Sequence, residues 1–307
     1  MATLQATQAA EPNDLATRYN PLSPTQLALR RFRRNPLAII GLAIVLLFLF
    51  TGIFAPVISP FEYDKTNLFK TWAPPGKFPE NPLGTDDLGR DILSRLIWGA
   101  RTSLIVIAGA TVVVVGLGLL LGFLSGYFGG AWDFVLNRLF EVIGSLPGLL
   151  FQILFMLLLG NGVLQVTLAI TLLGWPSLAR LVRAQVLSYR DRDFVQAARS
   201  LGAGTGFIML RHLFPNILNP FIVALSFAIP GFIAGEAGLS FLGYGINEPI
   251  PSWGKMVGSI ANYLSSTRYL YVGIIPTIAL ALLVLGFSFF GDGLRDALDP
   301  NADRTAA

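Results

Sequence analysis

Five stretches of this 307-residue chain carry no charged side chain: residues 35–61, 102–132, 142–179, 212–235 and 269–291. A helix needs about 20 consecutive apolar residues to cross roughly 30 Å of hydrocarbon. Each run is long enough. The third spans 38 residues and is interrupted by Gly160-Asn161-Gly162, a turn signal, so it divides into two helices. The pattern predicts an all-α membrane protein with six transmembrane helices near 37–58, 103–127, 135–159, 163–181, 217–240 and 269–290.

Composition agrees. Charged residues make up 13% of the chain, about half the share in soluble domains. Cysteine is absent, which excludes disulfides and thiolate metal sites. The apolar core of the first span begins after 36 residues and exceeds a signal-peptide core, so it reads as a retained span. Residues 1–25 lack periodicity and are expected to form a disordered or loosely attached tail.

The net charge of +4 is small, and its placement speaks for topology rather than for nucleic acid. Arg30, Arg31, Arg33 and Arg34 precede the first span, which the positive-inside rule assigns to the cytoplasm. Six spans then leave both termini inside. Of the 22 basic residues, 14 fall in segments assigned inside and 8 outside. Segment 180–216 is thereby cytoplasmic. The chain divides into a cytoplasmic tail (1–29), a first transmembrane helix (30–58) and an extracytoplasmic loop (59–101). A helical core follows (102–291), carrying the loop 190–216, and then a cytoplasmic C-terminal tail (292–307).

That inside loop holds polar residues, closely spaced glycines and the sole histidine, His212. Asp193 can cap a short helix whose Val195, Ala198 and Leu201 fall on one face. Gly202 suits a left-handed helix end. Thr205 can cap a second helix, and Pro215 marks entry to the next span. The expectation is a helix–turn–helix knob. Its small residues Ala197, Ala198, Gly202, Ala203 and Gly204 would let a partner approach closely. The bland reading is a solvated basic loop.

Elsewhere, Gly118, Gly122 and Gly126 form a small-residue face suited to close helix contact, more within the chain than against a partner. Pro147, Pro176 and Pro230 are expected to bend their helices. Glu236, near the outer end of the fifth span, serves either an interior hydrogen bond or gating. In the outer loop Asp86, Asp87 and Arg90 interleave with Asp91 and Arg95. They either pair to hold a folded cap or contact a binding protein or peptide termini.

The run Q-A-A-x3-G-x9-H-x-F-P (Gln196 to Pro215) resembles the E-A-A-x3-G-x9-I-x-L-P loop of prokaryotic ABC importer permeases. Gln196 departs from the family's Glu, so a salt bridge there gives way to a hydrogen bond at most. RRFRRNPLAIIGLAIVLLFLFTGIFAPVISP, NPLGTDDLGRDILSRLIWGARTSL, PSWGKM and GDGLRDALDP are similar to segments of the second (C-type) permease subunit of dipeptide/oligopeptide/nickel importers. The resemblance implies a type I ABC importer permease fold with a coupling helix and a folded outer loop. It implies ATPase coupling through Gln196, Ala197, Ala198, Arg199, Leu201, Gly202, Ala203 and Pro215. It also implies a second homologous permease subunit, two ATPase subunits that use ATP and Mg, and an extracytoplasmic substrate-binding protein. The substrate class would be short peptides, with no cofactor on this chain. The location would be the prokaryotic inner membrane.

No G-x4-G-K-[ST] occurs: Lys77 is followed by Phe78 and Lys255 by Met256. The chain therefore lacks a phosphate-cradling loop and is expected to be non-catalytic. Two rivals remain. Gly238-Leu239-Ser240 suggests an intramembrane serine protease, but His212 is expected at the opposite face. An ATP-independent transporter or channel would show inverted repeats and buried ionisable relays, and no internal repeat is evident.

Overall fold

The computed structural model describes residues 23–259 and 269–299. Its helices are α1 (Pro24–Arg34), α2 (Pro36–Ile58), α3 (Ile92–Phe128), α4 (Gly130–Gly144), α5 (Gly148–Leu159), α6 (Val163–Tyr189) and α7 (Asp193–Ser200). They are followed by α8 (Thr205–Phe241), α9 (Trp253–Ser259) and α10 (Tyr271–Leu298). Among the described residues no strand forms, only an isolated bridge between Thr85 and Asp91. The expectations for residues 1–22, 260–268 and 300–307 lie outside the described residues.

Polar side chains set where the first helices start. Ser23 and Gln26 form a reciprocal capping box ahead of α1, with Pro24 at the first helical position. The Asn35 side chain accepts from the Leu37 and Ala38 amides and opens α2. Asp91 accepts from the Ser94 amide at 2.7 Å and opens α3. Residues 30–58 are therefore two helices broken at Asn35, not one, and residues 24–29, assigned to the tail, are helical.

Helices α2, α3, α6, α8 and α10 are each long and apolar enough to cross a membrane. The third expected span differs. It is the pair α4 and α5, bent by 88° at Ser145-Leu146-Pro147. Pro147 ends one helix axis and starts another, and hydropathy alone does not register a change of direction. Several helices also outrun their apolar cores. Helix α3 begins at Ile92, so residues 92–101 are helix rather than loop. Helix α6 continues to Tyr189 and α10 to Leu298, past the apolar boundary of each span. Charge marks where hydrocarbon stops, not where hydrogen bonding along a helix stops.

Packing centres on α3 against α6. A Cβ at Gly122 would lie 2.6 Å from Val182 Cβ, and one at Gly126 2.8 Å from Val186 Cβ. The glycine face therefore packs within the chain, where small residues allow van der Waals contact without a hydrophobic driving force. A second core joins α2, α3, α9 and α10 around Phe48, Trp253 and Phe287. Pro176 and Pro230 lie inside α6 and α8.

Candidate functional site

Two polar regions stand at opposite ends of the bundle. At one end lie the end of α1, the end of α10 and the α6–α8 connection. Tyr189, Asn219, Arg295 and Asp299 line one shared cleft there. At the other end, the turn at Asn161 meets Gly243 and Asn247 beneath the cap formed by residues 59–91.

The α6–α8 connection is a helix, a glycine turn and a second helix. Asp193 does not cap α7; it is the first helical residue, and Arg192 precedes it without a side-chain cap bond. Thr205 likewise starts its helix behind Gly204 rather than capping it. Gly202 has φ +82° and ends the turn after α7, a conformation that excludes most other side chains. The second helix does not end before Pro215. It passes through a π-helical stretch, Ile208–Leu213, and runs on without a break into the span.

Anchoring comes from one side only. Val195 is fully buried. Arg199 lies over the Tyr127 ring at 5.9 Å, and Arg190 donates to the Gly126 carbonyl at 3.0 Å. Leu201 sits beyond the helix end rather than on the Val195 face, and it is 89% exposed. Gln196, Ala197, Arg199, Gly202 and Pro215 are exposed as well, while Ala198 and Ala203 are half-buried. Phe207 and Leu210 also face outward. His212 packs edge-on to Phe207 at 5.5 Å between ring centres.

The opposite end is an ion-pair knot. Arg90 Nε donates to Asp86 Oδ2 at 2.7 Å and Arg90 Nη1 to Glu248 Oε2 at 2.7 Å. Arg95 Nη2 donates to Glu248 Oε1 at 3.1 Å. Asp87 lies 3.6 Å from Arg90 Nη2 at the rim. Burial disfavours the charged form of Arg90, but Asp86 and Glu248 outweigh it and raise its pKa. Burial pushes the Glu248 carboxyl up, but Arg95 and Arg90 overcome this and hold it below its ordinary range. These groups line a cleft of about 240 Å³. The Asp/Arg interleaving suggests internal ion pairs without saying which, and it gives no sign of Glu248, which is more than 150 residues away in the chain. Spacing carries no signal for such a partner.

Glu236 is 1% exposed. Its Oε1 accepts from Ser240 at 2.9 Å and Ser252 at 2.5 Å, and its Oε2 from Ser103 at 3.4 Å. The carboxyl ties α8 to α3 and to the start of α9 through hydroxyls, with no cation against it among the described residues. Ser240 is thus committed to Glu236. About 28 residues of one helix separate it from His212, some 40 Å at 1.5 Å per residue, and the serine-protease reading falls. Among the described residues no cluster of His, Cys, Asp or Glu could hold a metal ion.

Residues 118–304 match the family model described as the binding-protein-dependent transport system inner membrane component, and residues 23–75 match the N-terminal TM domain of oligopeptide transport permease C. The oligopeptide transport system permease protein OppC of Bacillus subtilis is 39% identical, with 89% of this chain and 88% of that protein covered. The dipeptide transport system permease protein DppC of Haemophilus influenzae is 37% identical, with 94% and 98% covered. An inward-facing structure of the MetNI methionine ABC transporter shares the fold, with TM-score 0.52 at 18% identity over 68% of this chain and 98% of that one. The chain therefore belongs to the family of binding-protein-dependent transport system inner membrane components, as an all-α, multi-pass membrane permease.

Proposed function

We propose that this chain is one permease subunit of an ATP-driven importer of short peptides. With a second homologous permease it forms the translocation path. The α6–α8 connection is cytoplasmic, as are both termini, and two separate ATPase subunits grip it. An extracytoplasmic binding protein delivers solute to the cap. ATP and Mg are used by the ATPase subunits, and this chain does no chemistry. Closure of the motors pushes the connection, and its direct helical continuation into α8 passes the push to the membrane core. A ligand that favours one of two packings biases them in this way.

One observation carries the reading. The connection presents Leu201, Phe207 and Leu210 to the outside, and a Cβ at Gly204 or Gly206 would meet nothing within 4 Å. The chain's own packing does not require those residues to be small, nor does it cover those apolar side chains. A partner surface does both. The peptide class rests on the named relatives. Under this reading Glu236 and its serines hold the outer ends of α3, α8 and α9 together, a structural tie that gating must carry along or break. An ATP-independent carrier or channel is disfavoured by the family.

The test uses Leu201→Asp and Gly206→Trp in the assembled transporter. Loss of ATPase co-purification and of labelled-peptide uptake, with the permease still folded in the membrane, is expected. Retention of both sinks the reading.

A further inference from the structure

Helix α1 has two faces. Phe32 is buried and Ala28 half-buried against α10, with the Phe32 and Phe290 rings 5.9 Å apart. Arg31 Nη1 donates to the Asp299 carbonyl at 2.7 Å, and Asn35 Nδ2 to Asp296 Oδ2 at 3.3 Å. These contacts pin α1 across the end of α10 and occupy Asp296. Arg30, Arg33 and Arg34 project from the other face. All three are exposed, and none has a carboxylate partner among the described residues. Between α1 and α10 an apolar groove of about 270 Å³ is lined by Ala28, Leu29, Phe32, Leu294, Ala297 and Leu298. Leu29 is 52% exposed, and Arg33 follows it by one helical turn, so the two share a strip. The span α2 begins at Pro36, directly after the break at Asn35, which sets α1 at the level where hydrocarbon meets water.

We propose that α1 and the end of α10 form a binding site for an anionic phospholipid, with an acyl chain in the groove and the phosphate on Arg30, Arg33 and Arg34. An interfacial helix with one apolar and one basic face is suited to a lipid surface. Guanidinium groups bind phosphate oxygens through paired N–H donors. The apolar lining accounts for a hydrocarbon occupant, and the unpaired positive charge beside it selects an anionic headgroup over a zwitterionic one. The site does not depend on which side of the membrane α1 faces.

The test is photolabelling of the full chain, assembled with its partner subunits in nanodiscs, with a phosphatidylglycerol carrying a diazirine on its acyl chain. Peptides covering 24–34 and 290–298 are expected to carry the label. Unlabelled phosphatidylglycerol should compete, whereas phosphatidylcholine and soluble glycerol phosphate should not. Each arginine near an anionic surface contributes about a fivefold gain in binding. The triple variant Arg30→Gln/Arg33→Gln/Arg34→Gln should therefore lose labelling by at least about tenfold, and the triple lysine variant should retain most of it. Equal competition by phosphatidylcholine overturns the proposal. So does unchanged labelling of the triple glutamine variant, or a groove labelled only in the isolated chain and covered by protein in the assembly. If the glutamine variant does not fold, the competition on the unaltered protein decides.

Discussion

The cap and the α6–α8 connection are both loops by sequence, and both carry glycines and charged residues, yet they are built on opposite terms. In the cap, charge meets charge inside the chain: Arg90 and Arg95 converge on Asp86 and Glu248. Tyr271 Oη reaches the Thr85 carbonyl at 2.9 Å, and Trp253 Nε1 donates to the Leu96 carbonyl at 2.9 Å. Its glycines are forced, since a Cβ at Gly89 would sit 1.9 Å from the Asn67 carbonyl oxygen with φ at +71°. In the connection, Gly204 and Gly206 have open space, and Leu201 and Leu210 lie largely exposed. The cap's forced glycines and buried charges are explained by its own folding, while Leu68 and Phe69 stay exposed there. In the connection the chain's own folding accounts for Gly202, Val195 and Arg190, but not for the bare Leu201 and Leu210 or the uncrowded Gly204 and Gly206.

A single substitution made in both regions is the strongest way to break this contrast. Gly89→Ala combines left-handed strain with overpacking and should destabilise by about 2–5 kcal/mol. Gly206→Ala replaces an uncrowded helical glycine and should stabilise by about 0.5–1 kcal/mol. Thermal unfolding in detergent should show opposite signs, and equal signs would end the comparison. Removing charge comes next. Arg90→Ala leaves Asp86 and Glu248 facing only Arg95 and should cost about 3 kcal/mol, the low end for a broken buried pair because Glu248 stays water-accessible. Lower membrane yield and Tm are the readouts, and an unchanged Tm contradicts the knot.

Leu201→Asp should act the other way round, leaving stability within about 0.5 kcal/mol while uptake by the assembled transporter falls at least about tenfold. A matching drop in Tm would make Leu201 a core residue. The smallest effect is in pH. The Glu248 carboxyl is held low in the folded chain. It therefore contributes stability that is complete above the unfolded carboxyl pKa of about 4.3 and is lost as pH falls through the lower folded value. Tm should decline below about pH 4, and Glu248→Gln should blunt that decline. A decline of undiminished slope in the variant would assign it to other carboxyls.

Legibility in the sequence followed the range of the interaction. Apolar runs report the hydrocarbon, so the spans at α2, α6, α8 and α10 could be read from residues 37–58 and their counterparts. Helix ends were less visible. Residues 92–101 carry Arg95 and look like loop, yet Arg95 is buried because Glu248 meets it. The pattern Gln196 to Pro215 marked the connection, but spacing placed Leu201 on the Val195 face of a helix that ends one residue earlier. Ser103 and Ser252 gave no signal at all as partners of Glu236, since a lone serine is unremarkable until a carboxyl is set beside it.

By itself the sequence determined that this is a multi-span helical membrane chain with a polar segment between two of its spans, because burying apolar length in lipid is a one-dimensional requirement that composition satisfies locally. Tertiary structure alone decided the 88° break at Ser145-Leu146-Pro147, the pairing of Arg90 and Arg95 with Glu248, and which side of the connection is left bare. Those depend on which distant segments share a few ångströms of space, and a charge or a glycine acquires its meaning only from the neighbour it meets there.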